Sequence, residues 1–287
     1  MRSSKRYFVF VGVVFLSVFF FGCKKNQKAA DTNLENVTYP SRIVALSPAA
    51  VEILFSVGAG DQVFAVSDFT DYPEEATKLP VVGGFDGKTL SMESILSFKP
   101  DLVYLTNGMH NFMISQLEEY GIEYYVSIAD SIEEVETEIL EIGEITGHAE
   151  KAKTVVEKMK NKIDSVYSDK NSVSAYYEVW NAPYMSCGNG TFINDILSAA
   201  GYKNIFDDVE EAYPIVSEET IIARNPDYIF IAQSSGLTVE DVCNRPGWEK
   251  INAVVNKNIY VIDDNLTTRP GPRIADAVEM LGSYEKK

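Results

Sequence analysis

Two segments of this chain, residues 91–105 and 217–231, align without gaps and share Ser, Glu, Ile, Pro and Asp at matching positions. Each segment is typical of a short helix that leads into a buried strand, because the Ser suits a helix N-cap and the Pro-Asp pair stops the helix before an apolar run. The agreement of helix, junction and strand indicates an architectural duplication. The chain is therefore predicted to contain two lobes with one plan.

A single long helix is predicted to join the two lobes. Residues 148–169 contain no Gly or Pro, and their apolar residues keep the three-and-four spacing of one helix face. Such a helix would be roughly 33 Å long. The pattern defines an N-terminal lobe at 40–147 and a C-terminal lobe at 170–287, each large enough for its own core.

Strands alternate with helices within each lobe, which predicts an α/β fold with mainly parallel central sheets covered on both faces. The predicted strands are 42–46, 63–66, 102–105 and 122–126 in the first lobe, and 173–179, 228–231 and 259–262 in the second. The segment 263–273 after the last strand is predicted to be a loop, and residues 109–120, 132–145 and 239–255 are predicted to be helical.

The first residues have the pattern of a signal peptide. Three basic residues precede the uncharged, mostly apolar stretch 8–21, which is shorter than the roughly 20 residues that a membrane-spanning helix needs. Gly22 and Cys23 then resemble the lipobox of bacterial lipoproteins, which implies that residues 1–22 are removed and Cys23 is lipidated. Residues 23–39 are polar and are predicted to form a flexible tether. An uncleaved membrane anchor is the alternative.

The net charge and the small number of histidines argue against nucleic-acid binding and against a transition-metal site. The chain carries 25 basic and 42 acidic residues, and its net charge of −17 argues against nucleic acid as a partner. It has only two histidines, so a site of several histidines for a transition metal is not expected. Cys187 and Cys243 are able to form a disulfide in an exported protein, although the sequence does not show that they meet.

Several segments occur in the order seen in one protein family: RIVALSPAAVEILFSVGAGDQVFAVSDFTDYP, FKPDLVYL, VSEETIIARNPDYIFI and TRPGPRI. With the long helix between them, they resemble the helix-linked substrate-binding proteins of bacterial ATP-binding-cassette (ABC) importers for cobalamin, haem and ferric siderophores. The motifs are most similar to those of cobalamin-binding proteins. The resemblance implies two lobes with a ligand cleft between them.

The resemblance also implies a function. The protein would be a monomeric binding protein without a cofactor of its own, anchored by lipid at the cell envelope and facing the periplasm or the cell exterior. It would carry a cobalt- or iron-containing macrocycle or chelate, with a corrinoid favoured over haem and ferric siderophore, to a permease dimer with its ATPase subunits. An exported enzyme on the same scaffold is the alternative of a different class.

Carried over by motif, the ligand contacts are Ala49, Phe69, Phe85, Tyr184, Tyr213, Asn265, Leu266 and Arg269. An aromatic cleft of this kind suits a flat, largely apolar macrocycle. Core packing is the alternative for each aromatic residue taken alone. Arg269 is expected to be the main polar anchor, since the neighbouring prolines restrict its backbone. Arg273 is expected to pair instead with a carboxylate of its own lobe.

Three further residues have roles to test. Glu93 and Glu219 hold equivalent positions in the two repeats, and the resemblance implies that they dock onto arginines of a two-fold permease. Stabilisation of the helix N-terminus is the other interpretation for both. His110 follows a strand at the edge where open α/β sheets bind ligands, and it is a candidate axial ligand of the carried metal. A solvated histidine at a helix start is the alternative.

Overall fold

The structure, a computed structural model, describes residues 38–166 and 173–284. The predicted signal peptide, Cys23 and most of the predicted tether lie outside these residues. The first described part contains β1 (Ile43–Ala45), α1 (Pro48–Val57), β2 (Val63–Val66), α2 (Met92–Ser97), β3 (Leu102–Thr106), α3 (Ile114–Tyr120), β4 (Glu123–Ser127), α4 (Ile132–Thr146) and α5 (Ala149–Ser165).

The second described part forms a sheet with flanking helices and a small hairpin. Its elements are β5 (Val173–Glu178), β6 (Trp180–Asn181), β7 (Tyr184–Met185), α6 (Phe192–Ala199), β8 (Tyr202–Asn204), α7 (Glu218–Arg224), β9 (Tyr228–Ala232), α8 (Val239–Cys243), α9 (Asn252–Val255), β10 (Ile259–Ile262), α10 (Asp264–Thr268) and α11 (Ile274–Gly282). The hairpin of β6 and β7 and the edge strand β8 were not predicted.

The two main sheets have the same strand order. The first sheet has the order β2-β1-β3-β4, and the second, counted from its other edge, has the order β8-β5-β9-β10. All the strand pairs in both sheets are parallel. The prediction of two α/β lobes with parallel sheets is confirmed.

The repeated Pro-Asp junction has the same role in each lobe. The carboxylate of Asp101 accepts hydrogen bonds from the backbone N–H and the hydroxyl of Ser41 at 2.8 and 2.9 Å. In the second lobe, Asp227 accepts from the backbone N–H and the hydroxyl of Ser174 at 2.9 and 2.7 Å. Each aspartate thus satisfies a donor at the start of the neighbouring strand, where the ladder provides no partner.

The helix α5 packs against both lobes. Its buried residues Ala152, Val156 and Met159 belong to one hydrophobic cluster that also contains residues of α1 and α4 from the first lobe and of α6 and α11 from the second. Lys160 pairs with Glu136 on α4, and Lys162 pairs with carboxylates on α11. The linking helix α5 is therefore part of the hydrophobic core of both lobes.

The helix is shorter than its apolar pattern predicted. It comprises 17 residues and ends at Ser165, where Val166 turns to an extended backbone with ψ of 103°. Residues 167–169 of the predicted helix lie outside the described residues. The apolar character of Val166 has another cause, since its side chain lies against Gly282 at the end of α11.

Other predicted boundaries also shift. The predicted helix 109–120 becomes a 3-10 turn followed by α3, and the helical region 239–255 is divided into α8 and α9 around Gly247, which has φ of 85°. The predicted loop 263–273 contains the helix α10. Within the described ranges, no helix is long and apolar enough to cross a membrane.

Candidate functional site

Loops at the carboxyl ends of the two sheets meet beside the N-terminus of α1. In an open parallel sheet, this edge is the usual place for a ligand. Residues 67–73 follow β2 in the first lobe, and residues 269–273 follow α10 in the second. Gly271 lies beside α1, since a β-carbon there would be in ordinary contact with the carbonyl oxygen of Ala49 at 3.9 Å. Ala49 is 9% exposed, so little of this predicted contact residue is free to meet a ligand.

Phe69 is an exposed aromatic residue at the junction of the lobes. Its side chain is 72% exposed, and its backbone has φ of 59°, which is uncommon for a residue other than glycine. Its carbonyl oxygen accepts a hydrogen bond of 3.3 Å from Nη2 of Arg269 in the other lobe. Phe69 and Arg269, both predicted ligand contacts, are therefore neighbours.

Phe85 lies on the next loop of the first lobe and is held by two polar residues. Its backbone N–H donates to Asp68 at 2.7 Å, and its carbonyl oxygen accepts from Nε2 of His110 at 2.8 Å. The Phe85 and His110 rings meet edge to face at 5.8 Å. Because Asp68 directly precedes Phe69, this arrangement brings the loops of both phenylalanines together.

His110 supports the Phe85 loop. The ring is fully buried, its Nδ1 accepts from the backbone N–H of Thr106 at 3.0 Å, and its Nε2–H donates to Phe85. Burial lowers the pKa of His110 despite the bond to the Phe85 carbonyl. The geometry argues against the predicted axial role, because both ring nitrogens already have partners. It also argues against a solvated histidine.

Tyr184 packs within its own lobe. Its ring centroid lies 5.9 Å from that of Trp248, and the Arg245 guanidinium lies 5.0 Å above the Tyr184 ring. The side chain is only partly exposed. Packing within the second lobe, the alternative to ligand contact, therefore explains most of the surroundings of the Tyr184 ring.

Tyr213 lies on a segment that runs beside β7. The backbone N–H groups of Ser186 and Gly188 donate to the carbonyls of Pro214 and Ala212 at 3.1 and 2.9 Å. The Tyr213 side chain is 39% exposed. Burial is the main cause that raises the pKa of Tyr213 to about 12, and Asp130 of the first lobe acts in the same direction.

Gly188 sets the position of the Tyr213 segment. A β-carbon at Gly188 would lie 2.0 Å from the carbonyl oxygen of Glu211. We expect Gly188→Ala to lower the free energy of unfolding by about 1 to 3 kcal/mol, because the segment would have to move. At Gly271, a β-carbon would meet its nearest atom at an ordinary 3.8 Å. Chemical denaturation of both alanine variants checks this prediction, and an equal effect at the two glycines would contradict it.

The remaining predicted contacts lie on the short helix α10. Leu266 packs against the main hydrophobic cluster, and the backbone N–H of Asn265 donates to the capping Asp263 at 3.1 Å. The helix is fixed to β5 by a hydrogen bond of 2.6 Å between the Thr267 and Tyr177 hydroxyls. It thereby sets the direction in which the chain enters the loop of Arg269.

A cluster of charges crosses between the lobes. Arg269 pairs with Asp71 at 2.5 Å and with Glu52 at 3.2 Å, and Arg273 also pairs with Glu52, at 2.6 Å. The hydrogen bond from Arg269 is the main cause of the lowered pKa of Asp71. The prediction that Arg273 pairs within its own lobe is wrong, since Glu52 belongs to α1 of the first lobe.

Sequence reasoning missed Glu52 and Asp71. Both lie inside the segments that carry the family resemblance, but more than 190 residues separate each of them from its arginine. No periodic pattern links residues at such a separation. The many acidic residues of the chain also make these two difficult to single out.

The described residues contain neither a disulfide nor a cluster of metal-binding side chains. Cys187 and Cys243 are both free thiols, and burial raises the pKa of Cys187 to about 12. In the part of the chain that the structure describes, no group of three or more His, Cys, Asp or Glu side chains is arranged to hold a metal ion.

The family model described as periplasmic binding protein matches residues 43–266 of this chain. The chain belongs to the periplasmic binding protein family. The family membership confirms the resemblance inferred from the motifs, and it confirms a binding protein for transport rather than an enzyme. The periplasmic binding protein fold also agrees with the paired parallel sheets.

Relatives agree with this assignment over most of the chain. The uncharacterized ABC transporter substrate-binding lipoprotein YvrC of Bacillus subtilis is 32% identical over 265 residues, covering 88% of this chain and 82% of the relative. The structure of a possible iron-binding, periplasmic solute-binding protein of Staphylococcus epidermidis has a TM-score of 0.75 and 32% identity, covering 86% of this chain and 100% of that one. The periplasmic vitamin B12 binding protein of Vibrio cholerae has a TM-score of 0.73 and 27% identity, with coverage of 85% and 96%.

Proposed function

We propose that the protein captures a corrinoid between its lobes and delivers it to a membrane permease of the ABC class. The observation that carries this proposal is the exposed ring of Phe69 at the place where Arg269 of the other lobe reaches the same loop. An apolar ring beside a cation suits a macrocycle with a broad apolar face and polar groups at its edge. Tyr213, partly exposed on the second lobe, adds a further aromatic surface.

Similarity to a vitamin B12 binding protein supports a corrinoid as the ligand, and the similarity to a possible iron-binding protein supports a ferric chelate as the second candidate. Haem is a third candidate, because its propionates are suitable partners for an arginine. In each case the cobalt or iron would belong to the transported ligand, and the proposal requires no cofactor of the protein itself.

Cell-envelope anchoring is part of the proposal. Lipidated Cys23 would hold the chain at the membrane, with residues 24–39 as the tether and the lobes facing the periplasm or the cell exterior. The similarity to a substrate-binding lipoprotein of Bacillus subtilis supports this location. A monomer is proposed, because the two lobes of one chain are enough to form the cleft.

Glu93 and Glu219 are proposed to dock onto the permease dimer. Both side chains are exposed, and each lies in the first turn of a helix capped by the serine two residues before it. The helices precede corresponding strands, β3 and β9, in sheets with matching strand orders, which supports equivalent roles for the two glutamates. A two-fold permease with its ATPase subunits would therefore meet similar acidic residues at both ends of the protein.

Titration of the purified protein with cyanocobalamin, hemin and ferrichrome tests the proposed ligand. We expect saturable, one-to-one binding of cyanocobalamin with at least about tenfold preference over hemin and ferrichrome, measured by quenching of intrinsic fluorescence. If the protein preferred hemin or ferrichrome, the proposed ligand would be that compound and not a corrinoid. Failure to bind any of the three would contradict the whole group of candidates.

Phe69→Ala tests the position of the ligand. The variant should bind cyanocobalamin about tenfold more weakly, since it loses an aromatic contact at the centre of the proposed site. Tyr120→Ala is the matched control, because Tyr120 is also exposed, at 58%, but ends α3 away from the carboxyl edge of the sheet. An equal affinity for the Phe69→Ala and Tyr120→Ala variants would remove Phe69 from the site.

A further inference from the structure

Arg269 is bound by two carboxylates of the other lobe, and these differ in their access to water. Its Nη1 lies 3.2 Å from Glu52 and 2.5 Å from Asp71, and its Nη2 lies 3.2 Å from the second Asp71 oxygen. The Glu52 side chain is 1% exposed, whereas that of Asp71 is 57% exposed. An exposed carboxylate can return to water at little cost, while a buried one cannot.

Glu52 already has a full partner without Arg269. Nε and Nη2 of Arg273 donate to its two oxygens at 2.8 and 2.6 Å, which is the strong two-point geometry of an arginine-carboxylate pair. The Arg273 guanidinium also lies 4.3 Å above the Tyr72 ring. The Glu52–Arg273 pair is thus a fixed connection between the lobes, and the Asp71–Arg269 pair is the exchangeable one.

We propose that Asp71 occupies the place on Arg269 that an anionic group of the ligand takes during binding. This inference rests on the proposed function, in which Arg269 anchors the ligand. A phosphate or carboxylate of the ligand would replace the Asp71 carboxylate, so the number of charge pairs on Arg269 would not change. Asp71 would then weaken the binding of such a ligand, because the anionic group of the ligand has to displace it.

The exchange would also act on the aromatic contact. Asp71 and Phe69 lie two residues apart in one loop, and Arg269 bonds to both, to the carboxylate of one and the carbonyl of the other. Release of Asp71 would remove the ion pair between this loop and the second lobe, and the Phe69 carbonyl and the Tyr72 ring would keep their contacts with Arg269 and Arg273. Phe69 would then be able to adjust to the ligand, and the return of Asp71 would favour ligand release.

A supporting role for Asp71 predicts the opposite result. If Asp71 only held Arg269 in the orientation that the ligand needs, removal of its charge would weaken binding. The sign of the change in affinity therefore separates the two roles. Asp71→Asn is the suitable variant, since it keeps the shape of the side chain and removes its charge.

The chain offers a matched control in the pair of Arg224 with Asp208. Arg224 binds the two Asp208 oxygens at 2.5 and 3.1 Å, close to the 2.5 and 3.2 Å of the Arg269–Asp71 pair, and Asp208 is 61% exposed. Both of its members belong to the second lobe. Asp208→Asn therefore makes the same change in charge and pairing within a single lobe.

The test is a titration of wild type, Asp71→Asn and Asp208→Asn with cyanocobalamin and, in parallel, with hemin. We expect Asp71→Asn to bind about two- to fivefold more tightly than wild type, the range that an exposed ion pair provides, and Asp208→Asn to bind like wild type. In an Arg269→Ala background, Asp71→Asn should have no effect. Dicyanocobinamide, a corrinoid without the nucleotide phosphate, should gain nothing from Asp71→Asn.

If the wild type binds but Asp71→Asn binds equally or more weakly, the proposed exchange of Asp71 for a ligand anion is overturned. The proposed function would then still stand. An equal gain for dicyanocobinamide would overturn it as well, because that probe brings no phosphate to Arg269. A wild-type protein that binds neither cyanocobalamin nor hemin would overturn both proposals.

Discussion

Arg245→Met is expected to lower the free energy of unfolding by about 3 to 5 kcal/mol. The Arg245 guanidinium donates to both oxygens of Glu178 at 2.6 and 2.7 Å, and the Glu178 side chain has no exposed surface. Burial acts against the charged form of Arg245, but the bonds to Glu178 outweigh it and raise the pKa of the arginine. Without the arginine, a carboxylate at the end of β5 would stay buried beside an apolar side chain.

Urea denaturation followed by far-ultraviolet circular dichroism measures this effect, and it avoids fluorescence because Trp248 lies beside the substituted residue. Arg224→Met is the control, because Arg224 is 31% exposed and its partner Asp208 is 61% exposed. The exposed pair should contribute at most about 1 kcal/mol. Equal losses in the two variants would show that burial of the Glu178 pair adds nothing.

The sequence predicted well those features that depend on local pattern. Residues 228–232 are apolar without interruption, and all of them are buried in β9 between helices, as parallel strands require. Ser91 and Ser217 were predicted as N-caps, and their hydroxyls accept from the backbone N–H groups of Ser94 and Thr220. A cap and a strand each involve neighbours in the chain, so the residues themselves carry the information.

Features that depend on distant partners were not predictable in this way. Val166 continues an apolar helix pattern but is apolar because it meets Gly282 on α11. His110 follows a strand as a ligand residue would, but its ring is bonded to the Phe85 loop. In both cases the residue type is compatible with the predicted environment and with the observed one. Only the contact with a distant part of the chain distinguishes the two environments.

In the candidate site, too, the general position of the residues was predictable from the sequence, but their distant partners were not. The resemblance placed Phe69 and Arg269 in one cleft, and the structure brings them into contact across the lobes. The resemblance did not indicate that Arg269 is already paired with Asp71 and Glu52 of this chain. An arginine in a rigid loop can bind either a ligand or a carboxylate of the chain, and sequence alone does not choose between these partners.

Replacing both Glu93 and Glu219 with alanine is expected to abolish most ligand delivery while leaving ligand binding unchanged. Each glutamate is exposed and lies at the second position of its helix, α2 or α7. Loss of one charge pair at an interface should weaken binding to the permease by about tenfold, and loss of both by more. The measurement is ligand-dependent ATPase activity of the permease complex reconstituted in vesicles.

Glu133→Ala with Glu240→Ala is the matched control. These glutamates are also exposed and also lie at the second helix position, one on α4 in the first lobe and one on α8 in the second. The control removes the same two charges and the same helix-dipole contribution of about 0.3 to 1 kcal/mol per residue. If Glu93 and Glu219 only stabilise their helices, the two double variants will have equal ATPase activity and equal stability. Loss of activity confined to Glu93→Ala with Glu219→Ala would instead indicate a partner that contacts both repeats, because both pairs of glutamates are exposed and lie at the second helix position.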